Sequence, residues 1–205
     1  MNDLTTPEAI DQGRRGFLKA GAVAGGGLLI GFHLPLANRA GAVEAAGKDF
    51  APNAWIRIDA NDTVTLRVAS SEMGQGVYTA IPMLLAEELE CDWARIQVEM
   101  APASKAYTNP LIGQQLTGGS TAVRAFWTPL RQAGAVARGL LIRAAAETWK
   151  VKEDECRAEN GVVLHKASQR KASYGELAAR AATLPVPAAV FLKEPGEFRR
   201  IGKST

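Results

Sequence analysis

Thr63-Val64-Thr65-Leu66-Arg67-Val68, followed by Ser71-Glu72-Met73-Gly74-Gln75-Gly76 and by Val77 through Glu90, carries the decision about the fold. The first piece alternates with period two and reads as a strand, pairing through Asp59-Ala60-Asn61-Asp62 with Trp55-Ile56-Arg57-Ile58 as a hairpin. The last piece changes period. Ile81, Leu84, Leu85 and Leu89 fall on one helical face and Glu87, Glu88 and Glu90 on the other; Glu72, Glu87 and Glu88 read as helix-start or helix-surface carboxylates, and none is assigned as a base. Pro82 is tolerated in the early turns of this helix. A strand therefore runs through a glycine-bearing loop straight into a helix.

Outward from that unit, Arg95 to Met100 alternates again, and Ala101 to Gly119 is a long stretch broken by Pro102, Pro110, Gly113, Gly118 and Gly119, of the length that usually carries function. Apolar positions Val123, Phe126, Trp127, Leu130, Ala137, Leu141 and Ala145 then recur at three and four, which predicts one long helix from Ser120 to about Trp149. Asn160-Gly161 between Cys156–Glu159 and Val162–His165 predicts a second hairpin, and Ser173 with Glu176 a capping box opening a short helix to Ala182. The expected class is α+β: short mixed and antiparallel strands packed with two main helices. Residues 184–205, rich in Pro and Gly, read as a linker towards further domains.

Composition narrows the function. The chain has 205 residues, 47% hydrophobic and 22% charged, with a net charge of +3. The first 42 residues hold four cations (Arg14, Arg15, Lys19, Arg39) and three anions (Asp3, Glu8, Asp11), so the remainder carries +2, which gives no case for nucleic acid. Cys91, Cys156, His33 and His165 are the whole stock of cysteine and histidine, with no CxxC. A zinc site, an iron–sulfur cluster or a covalent haem built from this chain alone is not expected.

Arg14-Arg15-Gly16-Phe17-Leu18-Lys19 precedes an apolar run from Ala20 to Ala37, and Ala40-Gly41-Ala42 follows with the small-x-small pattern of a signal-peptidase site. Residues 1–42 thus read as a twin-arginine export signal to the periplasm, the run being a weak, glycine-rich apolar helix. Two other readings stand beside it: an uncleaved segment that keeps the protein at the membrane, and a soluble helix that contains Arg-Arg by chance. The twin-arginine route carries folded proteins, often already loaded with a cofactor.

Two loops concentrate the chemistry: Ser71 to Gly76, and Thr117-Gly118-Gly119-Ser120-Thr121. Each has glycine and each runs into a helix start, where unpaired N–H groups and the positive end of the helix dipole attract an anion. One such end is worth about 1 kcal/mol, up to ~2 when partly buried, so tight binding needs both. Gln75 adds an amide that donates and accepts, suited to a heterocycle edge. Taken singly, Gly74 and Gly76 read as a tight turn and Ser120 or Thr121 as a helix cap. Gly202-Lys203-Ser204 fails as a phosphate loop because position 197 is Glu197, and Ser70, Ser71 and Ser120 lack a hydrolase context. Arg124, Arg131 and Arg138, seven apart, read as a solvated face or as a docking stripe for an acidic partner.

The pattern of Glu72-Met73-Gly74-Gln75-Gly76, Thr117 to Thr121 and Ser173-Tyr174-Gly175-Glu176-Leu177 resembles the xanthine dehydrogenase / aldehyde oxidase family of molybdenum hydroxylases, in the branch of twin-arginine-bearing, isoquinoline 1-oxidoreductase-type large subunits and related periplasmic aldehyde dehydrogenases. The resemblance implies that residues 43–183 are part of a molybdopterin-binding domain. It implies molybdopterin, in the cytosine dinucleotide form, held by Gly74, Gln75 and Gly76 at the pterin and by Gly118, Gly119 and Ser120 near the metal, with Thr117 and Thr121 beside them. The implied reaction is hydroxylation of an N-heterocycle or aldehyde with water as the oxygen source. Implied partners are a small subunit carrying the iron–sulfur clusters, a cytochrome c acceptor and the remaining portion of the large subunit. Family members are several times longer and their base glutamate and substrate arginine lie beyond residue 205, so this chain reads as an N-terminal portion with no catalytic residue and no metal ligand of its own. The competing reading is a non-catalytic exported scaffold domain. A quinoprotein using pyrroloquinoline quinone would need propeller repeats, and no repeat is visible.

Overall fold

A computed structural model describes residues 18–23, 27–32, 55–187 and 189–203. Among these residues the fold is two sheets and three α-helices. In the larger sheet the strands lie in the order β1 (Leu18–Val23), β2 (Gly27–Phe32), β3 (Ile56–Ile58), β4 (Val64–Val68) and β5 (Ile96–Met100). All neighbours are antiparallel except β4 and β5, which run parallel with Val64 opposite Ile96 and Val68 opposite Met100. The connection between those two is α1 (Val77–Leu89), a crossover helix of the kind parallel strands require. The smaller sheet is a meander of β6 (Cys156–Glu159), β7 (Val162–His165) and β8 (Arg170–Ser173). The mixed α+β class read from the sequence is the class observed.

α2 (Ala122–Trp149) is the long helix. It crosses α1 closely: a Cβ on Gly134 would lie 2.6 Å from the Leu85 carbonyl oxygen, so only glycine permits this approach. The buried face of α1 (Ile81, Leu84, Leu85, Leu89) meets Leu130, Ala133, Ala137 and Leu141 of α2 in one core with Ile56, Ile58, Val64 and Leu66 of the sheet. α3 (Tyr174–Ala181) begins with the expected box: the Ser173 hydroxyl accepts from the Glu176 N–H and the Glu176 carboxylate accepts from the Ser173 N–H. Its Tyr174 hydroxyl donates to the Leu89 carbonyl at 2.6 Å, tying α3 to the end of α1.

Four expectations are corrected. Within the apolar run expected as a weak helix, the described residues 18–23 and 27–32 form instead the β1–β2 pair, added to the free edge of β3, because a glycine-rich run gains little as a helix while an edge strand offers unpaired backbone groups. Arg14, Arg15 and residues 33–54, including the expected cleavage site and the 42/43 boundary, lie outside the described residues. Glu87 and Glu88 are not surface carboxylates; their side chains are fully buried. The segment from Lys193 to Ile201, expected as linker, lies across them: Arg199, Arg200 and Ile201 donate their N–H groups to Glu87, Lys193 Nζ reaches it at 2.9 Å, and Glu88 accepts from Arg131 Nε at 2.9 Å and from the Lys193 N–H. The arginines seven apart share no surface stripe, because Arg131 is buried between the rings of Trp127 and Phe198, 5.4 and 5.0 Å from their centroids.

Candidate functional site

Ser71 to Gly76 leaves the carboxyl end of β4, next to Ala101 at the carboxyl end of its parallel partner β5. Crevices at such carboxyl ends are where open sheets hold ligands. The loop that follows β5 is fixed to the sheet by Tyr107, fully buried, with its ring 4.9 Å from Trp55 and its hydroxyl accepting from Arg67 at 3.2 Å. Asn109, buried, organises the rest: its Oδ1 accepts from the Leu111 N–H, and its Nδ2 donates to Thr121 Oγ1 at 2.8 Å. Gln115 joins the two arms of the loop, accepting from the Ser104 N–H at 3.0 Å.

The two predicted loops meet. The Ser71 N–H donates to Thr117 Oγ1 at 2.7 Å, across 46 positions of sequence. Beside this junction is an open cavity of about 610 Å³ lined by Ser71, Met100, Lys105, Gln114, Gln115 and Thr117. Thr121 is buried behind it, with its hydroxyl donating to the Gly118 carbonyl, so Thr117 and Thr121 act as pins that shape the second loop. Gly118, Gly119 and Ser120 are exposed, and no partner is found for their N–H groups among the described residues. Gly119 and Ser120 both have positive φ, 60° and 49°; a serine held there is a strained position of the kind that clusters at binding loops.

The first loop differs from its expectation. Its helix-start amides are not free: the Glu72 carboxylate accepts from Gly74 (2.8 Å), Gly76 (3.0 Å) and Tyr78 (2.9 Å). These donors, the Tyr78 N–H foremost, hold the Glu72 carboxyl below its ordinary range. Gln75 is folded inward, accepting from the Met73 N–H and donating to the Ser71 carbonyl, so it closes the loop on itself. Gly74 and Gly76 have φ of 95° and 80°, and a Cβ on either would meet nothing within 4 Å; backbone conformation, not crowding, calls for glycine, and the loop's outer face is open.

These residues fit an anionic, polar organic group: free amides on the second loop, a rigid saturated wall on the first, and the exposed Lys105 at the cavity. Lys105, Gln114 and Gln115 were not singled out in the sequence, where only the length of their loop pointed to function. Among the described residues there is no cluster of three or more His, Cys, Asp or Glu that could hold a metal, and no helix long and apolar enough to cross a membrane. Cys91 is buried, which pushes its thiol up to about 12 and leaves it inert.

The family described as "Molybdopterin cofactor-binding domain" matches residues 10–203. The chain belongs to that family. As a molybdopterin-binding domain of the molybdenum hydroxylases it is 40% identical over 188 residues to the isoquinoline 1-oxidoreductase subunit beta of Brevundimonas diminuta, covering 85% of this chain and 23% of that protein. It is 30% identical over 200 residues to the membrane-bound aldehyde dehydrogenase [pyrroloquinoline-quinone] of Gluconacetobacter polyoxogenes, covering 93% and 25%. The molybdopterin-binding domain thus spans about a quarter of the length of these curated relatives. Among solved structures, quinoline 2-oxidoreductase from Pseudomonas putida 86 superposes with a TM-score of 0.49 at 17% identity over 66% of this chain and 17% of that one. The Cu,Mo-CO dehydrogenase superposes with a TM-score of 0.48 at 21% identity over 66% and 16%.

Proposed function

We propose that this chain forms the two-loop wall of the molybdopterin site in the large subunit of an exported molybdenum hydroxylase that oxidises N-heterocycles or aldehydes with water as the oxygen source. The observation that carries this reading is the Ser71–Thr117 hydrogen bond, which joins two glycine loops beside one cavity. Gly118, Gly119 and Ser120 offer their N–H groups to the anionic part of the cofactor. Gln75, Gly74 and Gly76 shape the wall facing the pterin, and Thr117 and Thr121 hold the second loop in register. When bound, the group supplies Lewis acidity and two-electron redox capacity for hydroxylation of an electron-poor carbon. The cytosine dinucleotide form, a small iron–sulfur subunit, a cytochrome c acceptor and the rest of the large subunit complete the proposal. The name of the Gluconacetobacter relative attaches pyrroloquinoline quinone to that protein; the family match favours molybdopterin for this chain.

Gly119→Val in the complete large subunit tests the site. A β-branched residue cannot hold φ of 60°, so the amides of the second loop turn away while the exposed position leaves the core intact. Molybdenum per folded subunit, measured by elemental analysis, should fall at least about ten-fold, the loss of one charge-assisted hydrogen-bond set. Wild-type molybdenum content would refute the assignment. Export is tested separately: Arg14→Lys with Arg15→Lys should hold the product in the cytoplasm, and equal periplasmic recovery removes the export reading.

A further inference from the structure

Two pieces of the stretch that follows Arg14-Arg15, residues 18–23 and 27–32, are built into the folded sheet. β2 pairs with β3 in the register Leu28 to Ile58, Leu29 to Arg57 and Ile30 to Ile56, and β1 pairs with β2 from Leu18 opposite Phe32 to Val23 opposite Gly27. Leu28 is fully buried in the same core as Ile58, Leu66, Leu141 and Leu177. The other edge of β3 is taken by β4, so β2 completes the pairing of β3 among the described residues. An export receptor needs this stretch released from the sheet. A segment that is bonded to β3 and packed in the core cannot be offered to it at the same time.

We propose that the outer edge of β3 is a strand-exchange site which holds residues 18–23 and 27–32 in the folded domain and sequesters the export segment until that strand pair is displaced. The proposal rests on the export reading. Only three residue pairs join β2 to β3, a ladder short enough to open reversibly, so the fraction of chains with the strand pair released sets how much is competent for export.

The test uses the full chain with Leu28→Cys and Ile58→Cys. Residues directly opposite in an antiparallel pair have Cα atoms about 4.5–5.5 Å apart, within the range a disulfide spans. Mild oxidation of the native chain should link them, while Leu28→Cys with Val64→Cys, one strand further on, should stay reduced. Leu29→Cys with Arg57→Cys, the next register pair, serves where the core pair does not fold. Expressed in a host whose cytoplasm permits disulfides, the linked chain should reach the periplasm about ten-fold less than either single-cysteine variant, in proportion to the released fraction. Absence of the cross-link in both register pairs overturns the placement and leaves the export reading standing. A linked chain exported as well as the single variants overturns sequestration. Equal export of the Arg14→Lys, Arg15→Lys chain removes the export reading, and the proposal with it.

Discussion

Glu72 shows how one side chain redirects a site. Its carboxylate sits on three amides that would otherwise face outward, neutralising the positive end of α1 from within. Glu72→Gln keeps an acceptor oxygen but loses the charge, so amide hydrogen exchange at Gly74, Gly76 and Tyr78 should quicken about ten-fold with the core unaffected. Unchanged exchange would mean the carboxylate does not hold the loop. Glu87 acts at the opposite end of the helix. Burial alone would raise its carboxyl, but the N–H groups of Arg199, Ile201 and Arg200 and the Lys193 ammonium bring it from 4.5 down to about 2. A lowered folded-state value stabilises the fold above the unfolded value, and that stability is lost as pH falls through the folded one. Wild-type stability should therefore decline from pH 4.5 towards pH 2, by roughly 3 kcal/mol from this group. Glu87→Gln should be less stable at pH 7 and flatter across that window. Urea unfolding at pH 6, 4 and 3 decides it, and parallel curves for the two proteins would contradict the assignment.

Elements whose cues are local were readable in the sequence: β3 and β4, α1, α2, the β6–β7 hairpin at Asn160-Gly161 and the Ser173 cap all stand where period or capping placed them. What failed depends on partners far along the chain. Glu87 and Glu88 look like any exposed carboxylates until residues 105 to 114 positions away close over them. β2 needed the open edge of β3, and β8 (Arg-Lys-Ala-Ser) has no apolar alternation of its own. Both glycine loops run into helix starts as their local sequence indicates, and Glu72, read as a helix-start or helix-surface carboxylate, does sit on the first of them; that it takes three of the loop's amides, and that Gln75 turns inward, was not readable, because these are choices among hydrogen-bond partners. The α1–α2 contact gives an element-level prediction. Gly134→Ala gains about 1 kcal/mol of helix propensity but places a methyl group 2.6 Å from the Leu85 carbonyl. Overpacking of that kind costs ~1–3 kcal/mol, and because the obstacle is backbone it should win, lowering the midpoint of thermal unfolding by several degrees. A midpoint equal to or above wild type would mean the helices can part without cost.

At the scale of the molecule, α1 is a rod with a different task at each end. Its first turn receives the glycine loop; 11 residues on, about 16 Å along the axis, Glu88 receives the strap from Lys193 to Ile201. Helices transmit strain, yet the core between the two ends is closely packed, and no residue of the strap lines the cavity. Stability and cofactor retention should therefore separate. Arg131→Met removes a guanidinium that bridges Glu88, the Lys193 carbonyl and two aromatic rings, leaving a buried carboxylate short of charge at a cost of ~3–5 kcal/mol. Adding Glu88→Gln removes the stranded charge, so the double variant should lose less than the sum of the singles. Molybdenum per folded subunit should stay at the wild-type level in all three, whereas Gly119→Val should show the reverse, with a normal unfolding midpoint and depleted metal. Loss of molybdenum from folded Arg131→Met would show instead that the strap and the loops form one cooperative unit, with α1 relaying the disturbance between them.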